Sequence, residues 1–118
     1  MTEERFEVRH VPGERRFVLI DREAAGGEAE IGEEQYHDVA AGEAAERIFF
    51  HTVVSEEYAG QGLASKLVRA ALDGTIADGF AIVPVCPYVA AWLRKHEDYA
   101  DRAVAVTSAH LQALDARQ

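Results

Sequence analysis

The chain has 118 residues and a net charge of −9, from 12 basic and 21 acidic side chains. That length makes one domain, expected over residues 1–118, and it buries enough surface to build a core without covalent staples. The charge argues against nucleic acid and anionic membranes as partners, because both bind through basic patches. The acid is uneven: residues 1–50 hold six basic and thirteen acidic side chains, residues 51–118 six and eight. The first half therefore attracts cations, and the second is the more permissive surface for an anionic ligand. A single cysteine, Cys86, excludes an internal disulfide and a cysteine-cluster metal site. His10, His37, His96 and His110 are too scattered to suggest a metal site. No apolar run approaches the roughly 18 residues of a membrane helix. The opening MTEERFEVRH lacks the basic start and apolar core of a signal peptide. A cytoplasmic protein is expected.

In chain order, Phe6 and Val8 alternate with Glu7 and Arg9, the period of a half-buried strand. Pro12-Gly13 marks a turn, and Phe17 to Ile20 forms a second strand. After Gly26-Gly27, Glu28 to Tyr36 reads as a third strand, with Ala29 and Ile31 on one side and charged residues on the other. Ala40 to Glu46 reads as a small-residue loop. Ile48 to Val54 (IFFHTVV), β-branched and aromatic, is the strongest strand signal.

The period then changes. Leu63, Leu67, Val68, Ala71, Leu72 and Ile76 form an apolar stripe that predicts an amphipathic helix over Gly62 to Ala77. Phe80 to Val85 reads as a buried strand, with Pro84 near its end because proline cannot donate to a ladder. Pro87 suits the first turn of a helix carrying Val89, Trp92 and Leu93. Thr107 to Ala116 predicts a last helix, and the final residues are expected to fray. The fold class is therefore α/β (α+β). Its mixed sheet has an antiparallel N-terminal meander followed by a parallel β-α-β crossover. The core is expected over residues 6–103, with 104–118 as a C-terminal tail or helix.

The chemistry concentrates where the strong strand ends. Val53 and Val54 lead into a short loop with Gly60 and Gly62 spaced by one residue, and a helix begins at once. Glycine lets the main chain turn with positive φ and lets a ligand approach it. A helix start offers unpaired N–H groups and a favourable dipole, a cradle for phosphate. The same two glycines also suit a plain tight turn. No Gly-Lys-Ser/Thr follows, so this is not a Walker loop. The third glycine of a dinucleotide fingerprint is also missing.

The stretches HTVV at 51–54, GQGLASKLVRAAL at 60–72 and VPVCPYVAAWLRKHEDYAD at 83–101 together resemble the Gcn5-related N-acetyltransferase (GNAT) superfamily, most closely its short YjdJ-type branch. The resemblance runs from Phe6 to about Ala103. It implies an acetyl-CoA co-substrate, with no metal, and transfer of acetyl to an amine. It places Val53 and Val54 against the pantetheine arm and thioester oxygen. It places Gly60, Gln61, Gly62, Leu63, Ala64, Ser65 and Lys66 around the diphosphate. It sets Cys86 beside the acetyl group as an acyl acceptor. One departure is Glu57, which stands where the wider family has Arg or Gln.

Each catalytic residue also has a plainer reading. Cys86 suits a small buried apolar position. His51 is either the base that takes the amine proton or a histidine bonded within the sheet. Tyr88 is either a donor to the leaving sulfur or a capped core aromatic. An acceptor amine, on a small molecule or a protein, would be drawn by the acidic first half. The alternative is a non-catalytic acyl-CoA-binding or protein-interaction module.

Overall fold

Alternation and turns build a sheet whose neighbours in space are its neighbours in sequence. The computed structural model describes residues 4–42 and 44–116. Strands β1 (Phe6–Val11), β2 (Arg16–Ala24), β3 (Gly27–Ala41) and β4 (Ala44–Val54) pair in that order, each antiparallel to the one before it. Helix α1 (Leu63–Ala77) crosses over to β5 (Ala81–Pro84), which lies parallel beside β4. Helix α2 (Pro87–Lys95), a 3₁₀ turn over Glu97–Arg102 and helix α3 (Ser108–Ala116) follow. The mixed sheet, with its meander and parallel crossover, is the expected architecture. The terminal residues 117–118, expected to fray, lie outside the described residues.

The expected small-residue loop over Ala40 to Glu46 is a correction. The β3–β4 ladder runs on through Val39 opposite Glu46, Ala40 opposite Ala45 and Ala41 opposite Ala44. Alanine is a weak strand former, but a paired neighbour strand overrides that local preference. The third strand is correspondingly longer than Glu28 to Tyr36. Gly32 does not weaken it. A Cβ there would meet the Val53 carbonyl oxygen at 2.8 Å and Val54 Cγ2 at 3.1 Å, so glycine allows β3 and β4 to approach closely.

One face of the sheet carries Phe17, Leu19, Tyr36, Phe49 and Ile82, packed with Leu67, Val68, Ala71 and Leu72 of α1. Arg47 ties the far end of this layer. It is buried, pairs with Asp38 at 2.7 Å, and lies over the Tyr36 and Phe80 rings at 4.3 and 4.4 Å. Its Nη1 reaches Thr75 of α1 and Asp78 just beyond it, both at 3.4 Å. Glu46 and Ile48 alternate to the other face. There α3 docks through His110 Nε2 on Glu46 Oε1 at 2.7 Å.

A second charged tie lies near the other end of α1. Asp21 of β2 is fully buried and accepts from Arg5 Nε and Nη2 at 2.8 and 3.0 Å. It also accepts from the Tyr58 hydroxyl at 2.6 Å and the Glu23 main chain at 2.9 Å. The Arg5 guanidinium holds its carboxyl well below the usual carboxylate range. The tie fastens β1, β2 and the 3₁₀ turn Glu56–Tyr58 to one another.

Two outcomes follow from this packing. Gly32→Ala forces β3 and β4 apart and should cost about 1–3 kcal/mol of stability, read as a lower urea midpoint. Asp21 is ionised to far lower pH in the fold than in the unfolded chain. Its contribution is therefore present above the free value of 3.8 and drains away as pH falls through the native value. Asp21→Asn should be less stable than wild type at neutral pH, and the gap should narrow in urea titrations run at progressively lower pH.

Candidate active site

The cleft begins where β4 and β5 part. Their parallel register runs from Glu46 opposite Ala81 to Phe49 opposite Pro84 and stops. Beyond Pro84 the Val85 N–H turns back onto the Val83 carbonyl at 3.1 Å, and the chain leads into α2. A last bond joins the Cys86 N–H to the Phe49 carbonyl at 2.9 Å. β4 continues to Val54, held from its other side by β3 with Glu34 opposite Thr52 and Gly32 opposite Val54. A groove of about 310 Å³ opens along this stretch. Thr52, Val53, Val54 and Ser55 line it on the β4 side, with Tyr88 of α2 also in its wall. Tyr58, Ala59, Gly60, Gly62, Leu63, Ala64 and Ser65 close it at the start of α1.

That closing turn suits an anion. Gly60 and Gly62 have φ of +82° and +72°, and a Cβ on either would meet nothing within 4 Å. The glycines therefore serve the backbone conformation, and the space above them is open to a ligand. Gly62 is the N-cap of α1, and no side chain caps the helix start. The first-turn N–H groups and the helix dipole face the groove without a competing side chain. Tyr58, bonded to Asp21, anchors the preceding turn. Trp92 Nε1 donates to Ser65 Oγ at 2.8 Å and ties α2 to the same turn of α1.

Two residues of the expected cradle are not among the groove-lining residues. Gln61 is exposed, and Lys66 reaches Glu4 at 3.2 Å in an exposed ion pair. Glu57 is exposed on the 3₁₀ turn. The closing turn thus offers main-chain N–H groups, without a cationic side chain in the groove lining. This accords with the acidic composition of the loop before Lys66.

Cys86 is buried, 6% exposed, at the N-cap of α2. Its Sγ lies 3.1 Å from Thr52 Oγ1. The Thr52 hydroxyl in turn bonds Glu34 Oε1. Glu34 is fully buried, and burial pushes its carboxyl up to about 8 despite stabilising bonds from Thr52 and the His51 main chain. Its Oε2 has no hydrogen-bond partner. Tyr88, half exposed in the groove wall, has its hydroxyl pushed up by burial.

The structure does not bring His51 to this group. Thr52 and Val54 share the α1 face with Glu34. His51 pairs with Gln35 on the opposite face and is exposed. Only its main-chain N–H serves the cluster, so the expected base role for its imidazole is corrected. Conversely, sequence reading missed Thr52, Ser55, Tyr58 and Ala59 in the lining, and Glu34 behind it. A signal existed for Glu34. It stands two residues before Tyr36, and strand alternation puts both on one face. The consecutive Glu33-Glu34 pair concealed it, because one of two adjacent carboxylates on a strand must face inward. Among the described residues, no group of three or more His, Cys, Asp or Glu is arranged to hold a metal.

A family model described as GCN5-related N-acetyl-transferase matches residues 16–102. No curated protein sequence matches the chain. Among solved structures, a GCN5-like protein from Staphylococcus aureus is 26% identical with a TM-score of 0.61, over 89% of this chain and 94% of that one. An acetyltransferase from Trypanosoma brucei is similar in fold, at 16% identity and a TM-score of 0.51, over 81% of this chain and 68% of that one. The diverging strands, the bare helix start and the span of the family match agree: this chain belongs to the GCN5-related N-acetyltransferase family and is an acetyltransferase.

Proposed function

We infer that the protein moves an acetyl group from acetyl-CoA to an amine, with Cys86 at the reacting centre. One observation carries this reading. The groove runs from an uncapped helix start, along a strand edge freed from its neighbour, to the wall formed by Thr52 and Tyr88 beside the only thiol. The residues fit such a ligand in parts. The open space above Gly60 and Gly62 accepts a diphosphate against main-chain N–H groups. The edge of β4 at Val53 and Val54 offers backbone groups to the amides of a pantetheine arm. A donor N–H there would stabilise the oxyanion that develops as the thioester is attacked. Tyr88, in the groove wall, would donate its hydroxyl proton to the departing sulfur.

The acceptor is an amine on a small molecule or on a protein, drawn by the acidic first half of the chain. Within the superfamily we assign the chain to the short YjdJ-type branch, on the V-P-V-C-P-Y run at 83–88. A cytoplasmic location accords with the free thiol.

The tests are direct. Acetyl-CoA at about 100 times its Kd should add roughly 2.7 kcal/mol of stability, read as a rise in Tm. Gly60→Glu adds a charge and a strained φ at the open face of the cradle. It should abolish that rise while the free protein still unfolds cooperatively. Intact-protein mass spectrometry after mixing with acetyl-CoA should show one added acetyl, lost in Cys86→Ala. Absence of any Tm shift would overturn the ligand assignment. A shift with no adduct, and with turnover unaffected by Cys86→Ala, would remove Cys86 from the reaction.

A further inference from the structure

A buried carboxyl group is rare, and one with an unpartnered oxygen is rarer still. Glu34 is both. It is fully buried on the α1 face of the sheet, and its Oε2 has no partner. Nothing in the packing requires a carboxylate at this position, and its cross-strand neighbour on β2 is Phe17. Its one side-chain bond is to the Thr52 hydroxyl, and that hydroxyl touches the Cys86 thiol at 3.1 Å.

The direction of this chain follows from proton count. Above about pH 8 Glu34 is ionised and only accepts, so Thr52 then spends its single proton on Glu34. The Thr52 oxygen can then only accept from the thiol. The array therefore reads Sγ–H to Oγ1–H to Oε1, with every proton pointing toward Glu34.

We propose that Glu34, acting through the Thr52 hydroxyl, takes the proton of the Cys86 thiol and so decides when that sulfur is a nucleophile. The Sγ proton passes to Oγ1 as the Thr52 proton passes to Oε1. One negative charge moves from carboxylate to sulfur, and none is created in the buried cluster. The thiolate then attacks the carbonyl carbon of an acyl thioester. The bond from that carbon to Sγ forms, and its bond to the donor's sulfur breaks. The departing thiolate takes a proton from solvent. Glu34 touches neither the thiol nor the donor, so it is a positioning residue that works through Thr52.

Its basicity suits the task. Burial pushes the carboxyl up to about 8, close to the roughly 8.5 of an ordinary thiol. A carboxylate of ordinary strength would be too weak a base by roughly four units. The charge acting on Glu34 among the described residues is that of Glu33 on its own strand, which raises it further. β4 faces it with Thr52 and the His51 N–H, β2 with Phe17, and the start of α2 with Cys86 beyond Thr52.

The proposal rests on Cys86 being the reacting thiol, but its test needs no acyl donor. The single cysteine lets intact-protein mass spectrometry follow the alkylation of Cys86 by iodoacetamide in the full chain as pH is raised. In wild type, the alkylation rate should rise as pH passes through about 8 and Glu34 loses its proton. In Glu34→Gln and Thr52→Val that rise should be lost, a drop of roughly tenfold in rate at pH 8. Thr52→Ser restores the hydroxyl and should restore the wild-type curve. If Glu34→Gln fails to fold, the Thr52→Val and Thr52→Ser pair decides alone. A Thr52→Val rate profile that matches wild type, or a Glu34→Gln rate that is unchanged or higher, would overturn the relay. Failure of acetyl-CoA to bind or to acetylate the protein is a separate result and leaves this alkylation rate readable.

Discussion

β4 and β5 share four register pairs, and the last of them joins Phe49 to Pro84. Beyond it the Val85 N–H turns back onto the Val83 carbonyl at 3.1 Å, so the ladder does not continue and the two chains separate. This one local turn shapes the rest of the molecule. It leaves the edge of β4 at Val53 and Val54 open to the groove and sends the chain into α2. It also places Cys86 at a helix start, where its N–H still reaches the Phe49 carbonyl. β3 stiffens the freed strand from the other side. The close approach at Gly32 keeps that backing tight where the groove lies on the opposite edge. An edge strand is usually a hazard to a protein, because it invites pairing with another chain. Here its last residues line a groove shaped for an extended ligand.

Two buried charges hold the helix layer at its ends. Asp21 gathers Arg5, Tyr58 and a main-chain N–H, and so fixes the turn that carries the glycines. Arg47 gathers Asp38, Asp78 and two aromatic rings, and so fixes the end of α1. Both are fully partnered, as buried charges must be if they are not to destabilise the fold. Glu34 breaks that rule. Its burial is only partly compensated, and the fold carries the cost next to a thiol. Local disagreement with the rules of stability is expected at working sites.

Much of the architecture is legible in the residues themselves. Phe6 and Val8 show the strand period, IFFHTVV the central strand, and the stripe from Leu63 to Ile76 the crossover helix. Each rests on local periodicity, which survives folding unchanged. The hairpin from Val39 to Glu46 is not legible in this way, because only its partner strand makes an alanine-rich segment extended. The turn is legible at Gly60 and Gly62, since φ of +82° and +72° favours glycine. Lys66 is not, because its chemistry suits a phosphate but its direction from α1 leads to Glu4.

Residue order alone determined the element sequence, the two-glycine turn and the lone thiol. All three depend on spacing along one short segment. The tertiary structure decided which side chains meet. Glu34, Thr52 and Cys86 are 18 and 34 positions apart in successive steps, and a strand register and a strand end bring them together. The same register turned His51 away, because a single residue along a strand reverses the face a side chain occupies. Contacts across a sheet depend on that register, and nothing within either strand alone specifies it.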